Sequence, residues 1–238
     1  MSWKLSEMTM DDLNERLILS AINTKKAGDY LEDCPHISKG SLSLVAFLCS
    51  GDKDQKGMYS FFRPVTKRSL EIFERTLGLD KESLFAIAAE NSRKTFPVMI
   101  EPIDMEGLDL PPCLALSNTK YFNGASTMFY EPDVLRRIAD KYKTDVLYLG
   151  VSYTSFVICV PKNNAITKDE LDAVIAEMTD TLEQKKGDLG PLLGTVLPLS
   201  ATLIYDKTQN RIIEPMGESY SPDILDNGSM KINKTNSR

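Results

Sequence analysis

The stretch Thr144–Pro161, TDVLYLGVSYTSFVICVP, places two apolar runs on either side of the polar segment Ser152–Ser155. Hydroxyl side chains between two strand-like runs belong either to a catalytic turn or to the link of a β-hairpin. Gly150 eases a bend, and the hydroxyls of Ser152 and Thr154 can cover the polar backbone of a turn. The stretch therefore predicts a hairpin, although loops between rigid strands also carry binding residues.

The rest of the chain alternates between helix-like and strand-like hydrophobic patterns. The predicted helices begin at Thr9 (with Leu13, Leu17, Ile18 and Ala21 on one face), near Leu70, at Asp80, at Pro132 and at Thr167. The predicted strands are Leu42–Cys49, Met58–Arg63, Cys113–Ser117, Ala125–Tyr130, Val146–Leu149, Phe156–Val160 and Ala201–Tyr205. Short strand-to-strand links favour an α+β fold with mixed or antiparallel sheets over a doubly wound parallel sheet.

The segment 104–112, DMEGLDLPP, has no hydrophobic periodicity and contains two adjacent prolines. Such a segment is typical of a domain boundary. We therefore predict two packed α+β lobes, 1–104 and 105–215. The stretch 216–238 is polar and poor in aliphatic residues, which predicts a mobile tail.

Composition excludes several classes of function. Of the 238 residues, 42% are hydrophobic and 26% are charged, as in ordinary globular proteins. The net charge of -6 disfavours a dedicated nucleic-acid binder, which needs a basic face to neutralise phosphates. No apolar stretch approaches the roughly 20 residues that span a bilayer, and the N-terminus lacks the apolar core of a secretory signal.

The four cysteines are widely spaced and form no C-x-x-C pair, so neither a zinc knuckle nor a redox dithiol is predicted. This usage fits a protein of the reducing cytoplasm. The chain also has neither G-x-x-x-x-G-K-[ST] nor G-x-G-x-x-G, the glycine-rich loops that bind nucleotide phosphates. We expect no cofactor, no metal and no membrane association.

His36 is the one histidine in the chain. A nucleophilic mechanism based on an imidazole would have to pair it with Cys34 or with a hydroxyl of Ser152–Ser155. Pro35 favours an extended backbone between Cys34 and His36, which separates their side chains unless the loop turns sharply. The favoured interpretation is a histidine that caps a loop or packs at the surface.

Asn91 follows Leu84 by seven residues and therefore lies on the apolar face of its predicted helix. A polar amide in that position requires hydrogen-bond partners. We expect Asn91 to be buried and bonded to backbone, and the alternative is an amide that binds a ligand.

Three segments together resemble an uncharacterised bacterial family, catalogued as a domain of unknown function and common in anaerobic gut bacteria and their mobile elements. They are INTKKAGDYLEDCPHI from Ile22, LFAIAAENSRKTFP from Leu84 and LALSNTKYFNGASTMFYEPDVLRRIADKYKTDVLYL from Leu114. The similarity extends from Ile22 to Arg211 and has Asn118, Gly124 and Ala125 in register.

The chain departs from the family pattern within Thr144–Pro161. Members of the family that it resembles usually have Leu-Pro-Ser-Ser-Val-His-Glu-Val there, whereas this chain has Thr154-Ser155 in place of His-Glu. Hydroxyls do not act as proton acceptors near neutral pH, so any acid–base role of that pair is lost here.

The function predicted from these observations is a non-enzymatic cytoplasmic module that binds a protein partner or a small ligand, in the setting of a mobile element. Its candidate binding residues are His36, Asn91, Asn118, Ser152 and Thr154, and no catalytic or metal-binding residue is assigned. The alternative is a degenerate hydrolase that uses His36 with Cys34 or the Ser152–Ser155 turn.

Overall fold

The computed structural model describes residues 4–25, 27–53, 59–103, 113–120, 123–151, 156–162, 167–184, 202–224 and 230–231. The helices are Met10–Arg16 (α1), Gly28–Asp33 (α2), Lys67–Leu77 (α3), Lys81–Thr95 (α4), Thr127–Tyr130 (α5), Val134–Tyr142 (α6) and Lys168–Gln184 (α7), with 3-10 turns at Leu5–Glu7 and Gly124–Ser126. The strands are Leu17–Asn23 (β1), His36–Lys39 (β2), Leu42–Lys53 (β3), Tyr59–Pro64 (β4), Val98–Ile103 (β5), Cys113–Asn118 (β6), Val146–Val151 (β7), Val157–Pro161 (β8), Leu203–Asp206 (β9), Arg211–Ile213 (β10), Glu218–Tyr220 (β11) and Met230–Lys231 (β12).

These strands form two antiparallel sheets, which confirms the predicted α+β class. In the first sheet, β1 pairs with one edge of β3, while β2 and β4 lie end to end along the other edge. The second sheet has the order β12-β11-β10-β9-β7-β8-β6-β5. One buried apolar cluster contains residues from both sides of 104–112, from Met8 to Ile224.

The hairpin predicted from the opening stretch is confirmed and occupies the middle of the second sheet. β7 and β8 pair in register, with Leu149 opposite Cys159. Gly150 has a role other than the predicted bend, because it lies inside β7. A Cβ atom at Gly150 would come within 2.6 Å of the Ile175 side chain, so the glycine lets α7 approach the sheet closely.

The helix predicted to begin at Thr9 is correct at its start and wrong at its end. Thr9 caps α1 with a reciprocal hydrogen-bond pair to Asp12, but α1 ends at Arg16. The predicted apolar face at Leu17, Ile18 and Ala21 belongs instead to β1, in which all seven residues are buried. A continuously apolar run fits a buried strand as well as a helix, and pairing with β3 selects the strand.

The strand predicted at Ala125–Tyr130 is also wrong. The chain forms a 3-10 turn at Gly124–Ser126 and continues into α5. Asn123 starts this turn in the left-handed conformation, with φ of 45°, and its side chain accepts the Ser126 N–H. All residues from 123 to 130 are buried, so hydrophobicity alone does not distinguish strand from helix.

The C-terminal segment, predicted to be a mobile tail, contains regular structure in the part that is described, and its mobility stays a prediction. Glu218–Tyr220 forms β11, and Tyr220 is 2% exposed. The buried ammonium of Lys39 donates to the carbonyls of Ser221 and Asp223 at 3.3 and 2.7 Å. The chain up to Ile224 is therefore held against the turn between β2 and β3.

The predicted boundary, 104–112, lies outside the described residues. On either side of it, β5 and β6 pair directly, with Val98 opposite Asn118 and Ile103 opposite Cys113. The last strand of the predicted first lobe thus lies in the second sheet. The division into two lobes stays a prediction.

The prediction for Asn91 is confirmed as far as burial and bonding are concerned. Asn91 is 5% exposed, and its amide Nδ2 donates to the Leu13 carbonyl at 3.0 Å. The bond ties the middle of α4 to the last turn of α1.

Replacing Asn91 with leucine is expected to lower the free energy of unfolding by about 1 kcal/mol, the net contribution of one hydrogen bond, because the buried Leu13 carbonyl loses the Asn91 amide but keeps the Leu17 N–H as a donor. Urea denaturation of the wild type and the variant measures the difference. The exposed Asn14 of α1 provides the control, since Asn14→Leu is expected to change stability by no more than about 0.5 kcal/mol. An Asn91→Leu variant as stable as the wild type would contradict this account.

Candidate functional site

A surface groove of about 680 Å³ runs between β2 and α3. The five consecutive residues 34–38 form one wall. Lys67, Leu70, Glu71 and Glu74 of α3 form the other wall. Side chains alternate between the two faces of a strand, so a wall of consecutive residues is the strand's backbone edge. The groove therefore lies along the outer edge of β2.

The direction of the backbone N–H and C=O groups of β2 can be deduced from the hydrogen bonds of β1, which lies on the other side of β3. In β1, the N–H groups of Leu19 and Ala21 donate away from β3, to Ser92 Oγ and Asn123 Oδ1. Backbone groups alternate in direction along an antiparallel ladder, so Ser20 and Ile22 bond to β3. Their partners on β3, Val45 and Ser43, therefore direct their backbone N–H and C=O groups towards β1.

It follows that Leu42, Leu44 and Ala46 of β3 direct their backbone groups towards the opposite edge, where β2 and β4 lie. The Ala46 carbonyl accepts the Val65 N–H on that edge. Ile37 and Lys39 of β2, which stand opposite Leu44 and Leu42, bond to β3. His36 and Ser38 must then direct their N–H and C=O groups outward, along the groove. Within the described ranges, neither backbone N–H has an acceptor.

The two edges of the first sheet are thus treated differently. The outward groups of β1 are covered by Ser92 and by Asn123, whose Nδ2 also donates to the Ala21 carbonyl at 3.0 Å. Unpaired strand edges attract other strands, and proteins commonly cover them. The outer edge of β2 keeps two donors and two acceptors that a partner strand can bind.

The His36 ring is fixed beside this edge. Its Nδ1 lies 3.1 Å from the Cys34 carbonyl, which can only accept, so Nδ1 carries the proton. Nε2 remains as the ring atom that can bond to a partner. His36 is half-buried and is the first residue of β2.

The geometry does not support a nucleophilic pair of Cys34 and His36. The imidazole bonds to the backbone carbonyl of Cys34 and not to its sulfur. Burial, and secondly the charge of Asp33, raise the pKa of the Cys34 thiol above its ordinary value. A thiol with a raised pKa is poorly nucleophilic, because the thiolate is the reactive form.

The charges in the groove are mixed. Lys67 lies at the Cys34 end, close enough to act electrostatically on that thiol. Glu71 and Glu74 follow along the same face of α3, and Lys81 opens α4 beside them. An extended segment with an acidic residue near Lys67 and a basic residue near the glutamates complements this wall.

The other predicted binding residues do not line the groove. Asn91 lies in the core between α1 and α4. Asn118 is fully buried at the end of β6, where its Oδ1 accepts the Lys120 N–H at 3.1 Å and its side chain hydrogen-bonds to Tyr130. Ser152 and Thr154 lie outside the described residues. His36 is the predicted binding residue that lines the groove.

Sequence reasoning missed Ser38 and Asn123. The signal for Ser38 was present in the short alternating run His36–Lys39 before the Gly40-Ser41 turn. The signal for Asn123 was the Asn123-Gly124 pair, because asparagine before glycine favours a left-handed turn.

Two further findings bear on the site. Across the described ranges, no three histidine, cysteine, aspartate or glutamate side chains are grouped so as to hold a metal ion. Among the helices that the structure describes, none is both long and apolar enough to cross a bilayer.

Comparison with known proteins gives one family match. Residues 1–190 match a family of unknown function (DUF5688). No curated protein and no solved structure matches the chain. The matched range includes the whole of the groove, the whole of the first sheet and four of the eight strands of the second. The chain therefore belongs to this family of unknown function.

Proposed function

We propose that the protein is a non-enzymatic interaction module that binds an extended segment of a partner protein along the outer edge of β2. The observation that carries the proposal is the outward direction of the His36 and Ser38 backbone groups in a groove whose second wall is α3. An added strand uses its main chain for affinity and its alternate side chains for specificity. The segment that fits has an acidic residue facing Lys67 and a basic residue facing Glu71 and Glu74.

A cytoplasmic protein of a bacterial mobile element is the setting that we infer. The resemblance of the sequence to a family of gut bacteria supports it. The four cysteines are all buried and unpaired, as in proteins of reducing compartments.

The variant Ser38→Pro tests the docking edge. Proline removes an outward N–H and adds a ring on that side, but it leaves the ladder to β3 intact, because edge strands accept proline where the N–H faces solvent. Peptides selected from an unbiased displayed library on the wild-type protein provide the probes. We expect Ser38→Pro to weaken their binding about tenfold in fluorescence polarisation, while Ser38→Ala, which keeps the N–H, changes it less than about twofold.

A second measurement does not depend on the proline variant. Amide hydrogen exchange of the wild type should show new protection at His36 and Ser38 when a selected peptide binds, and none at Leu19 or Ala21. Selected peptides that bind Ser38→Pro as tightly as the wild type and leave these two amides unprotected would refute the proposal.

A further inference from the structure

A second cavity, of about 540 Å³, lies on another face of α3. Its apolar wall is formed by Leu5, Met8, Leu48, Cys49, Val65 and Phe73. The residues of α3 that line it are Ser69 and Phe73, whereas Lys67, Leu70, Glu71 and Glu74 line the groove. The helix therefore separates the two sites, and the cavity is independent of the proposed docking edge.

The cavity has the character of a site for a small molecule. Such sites have volumes of about 300–1,000 Å³, mostly apolar walls and a small number of polar groups that orient the ligand. Two of the polar residues here are already engaged with each other. Thr66 Oγ1 lies 2.9 Å from Ser69 Oγ and accepts the Ser69 N–H as the N-cap of α3.

Ser50 and Arg63 are the other two polar residues of the lining, and Arg63 is the one that carries a charge to orient a ligand. It lies on β4 opposite Leu48, at the rim of the cavity, and its side chain is exposed. In the part of the chain that the structure describes, Arg63 forms no ion pair with a carboxylate. A guanidinium binds a carboxylate in a planar, bidentate geometry with two parallel hydrogen bonds. The basic residues Lys67 and Arg68 in the first turn of α3 add to the positive potential at this end of the helix.

We propose that this cavity binds a small organic carboxylate with an apolar body. The carboxylate pairs with Arg63, and the apolar chain packs against Met8, Val65 and Phe73. The charge of Arg63 selects against neutral and cationic molecules of the same length, while the apolar wall provides most of the contact area.

Titration calorimetry of the full chain tests this with three probes of one length: octanoate, 1-octanol and octyltrimethylammonium. We expect saturable one-to-one binding of octanoate that is stronger than binding of the other two. Arg63→Gln should weaken octanoate binding about tenfold or more, the loss of a charge-assisted hydrogen-bond pair, and leave 1-octanol unchanged. Arg75→Gln, which removes the same charge from the exposed last turn of α3, is the matched control and should leave octanoate binding unchanged.

The position of the ligand is measured separately. In a protein labelled at the methionine methyl groups, octanoate should shift the Met8 resonance, which Met8→Leu identifies. The variant Ser38→Pro should bind octanoate normally, so a failure of the docking edge does not imitate a failure of this site. Equal binding of octanoate and octyltrimethylammonium, or an unshifted Met8 signal, would overturn the proposal.

Discussion

Replacing Asn123 with leucine is expected to lower the free energy of unfolding by about 4 kcal/mol, the largest effect of any single substitution considered for this protein. Asn123 is 2% exposed, and its side-chain amide binds both backbone groups of Ala21 as a neighbouring strand would. It also accepts the N–H of Ser126. Leucine leaves both buried backbone groups of Ala21 without partners, and each one costs about 1–3 kcal/mol. The Ser126 N–H keeps the Asn123 backbone carbonyl as an acceptor at 3.0 Å. Urea denaturation measures the loss.

Part of that loss comes from the left-handed backbone, with φ of 45°, which leucine tolerates less well than asparagine. Asn210 provides a comparison, because it also has a positive φ, 50°, in the turn before β10, and its side chain accepts one hydrogen bond, from the Tyr205 hydroxyl at 2.9 Å. Asn210→Leu should cost about 1–2 kcal/mol of backbone strain and about 1 kcal/mol for that bond. Similar losses for Asn123→Leu and Asn210→Leu would mean that covering the edge of β1 contributes little.

The second large effect is expected for Gly40→Ala, with a loss of about 3–4 kcal/mol. Gly40 has φ of +60° in the turn between β2 and β3. A Cβ atom there would overlap the Glu214 carboxylate and come within 2.7 Å of the Tyr220 ring. Glu214 accepts hydrogen bonds from the Ser41 N–H at 2.9 Å and from the Tyr220 hydroxyl at 3.2 Å, so displacing it also disturbs β11.

Gly78 is the matched control for this substitution. Its φ is +67° at the end of α3, but an added Cβ atom would meet nothing within 4 Å. Gly78→Ala therefore measures the backbone strain alone, about 1–2 kcal/mol. Thermal and urea denaturation of both variants gives the difference in the free energy of unfolding. Equal losses would show that the overlap of the added Cβ atom with Glu214 does not lower stability.

The two substitutions concern the same feature of the molecule, namely contacts that join early and late parts of the chain. Asn123 reaches β1 across 102 positions, and Glu214 reaches Ser41 across 173. The turn that Glu214 holds is the one that follows β2. Gly40→Ala is therefore also expected to loosen the end of the proposed docking edge, visible as faster amide exchange at Lys39, which bonds to β3 opposite Leu42.

Local patterns in the sequence were sufficient where neighbouring residues decide the structure. The capping box of Thr167 and Glu170 starts α7, Asp80 caps α4, and the apolar runs of β7 and β8 form the predicted hairpin. In each of these places the stabilising contacts lie within a turn or across one hairpin. The single histidine was likewise assigned to a candidate site from the sequence, and the structure places it in the groove.

Only the tertiary structure decided the elements that are buried on all sides. Leu17–Asn23 and residues 125–130 are continuously apolar or small, so their patterns do not distinguish a strand from a helix. Pairing with β3 makes the first a strand, and the turn that Asn123 starts makes the second a helix. The open edge of β2 could not be read from its sequence either. Whether a strand's outward groups are covered depends on residues that are distant in the chain, and Asn123 covers those of β1 while the described residues leave those of β2 exposed to a partner.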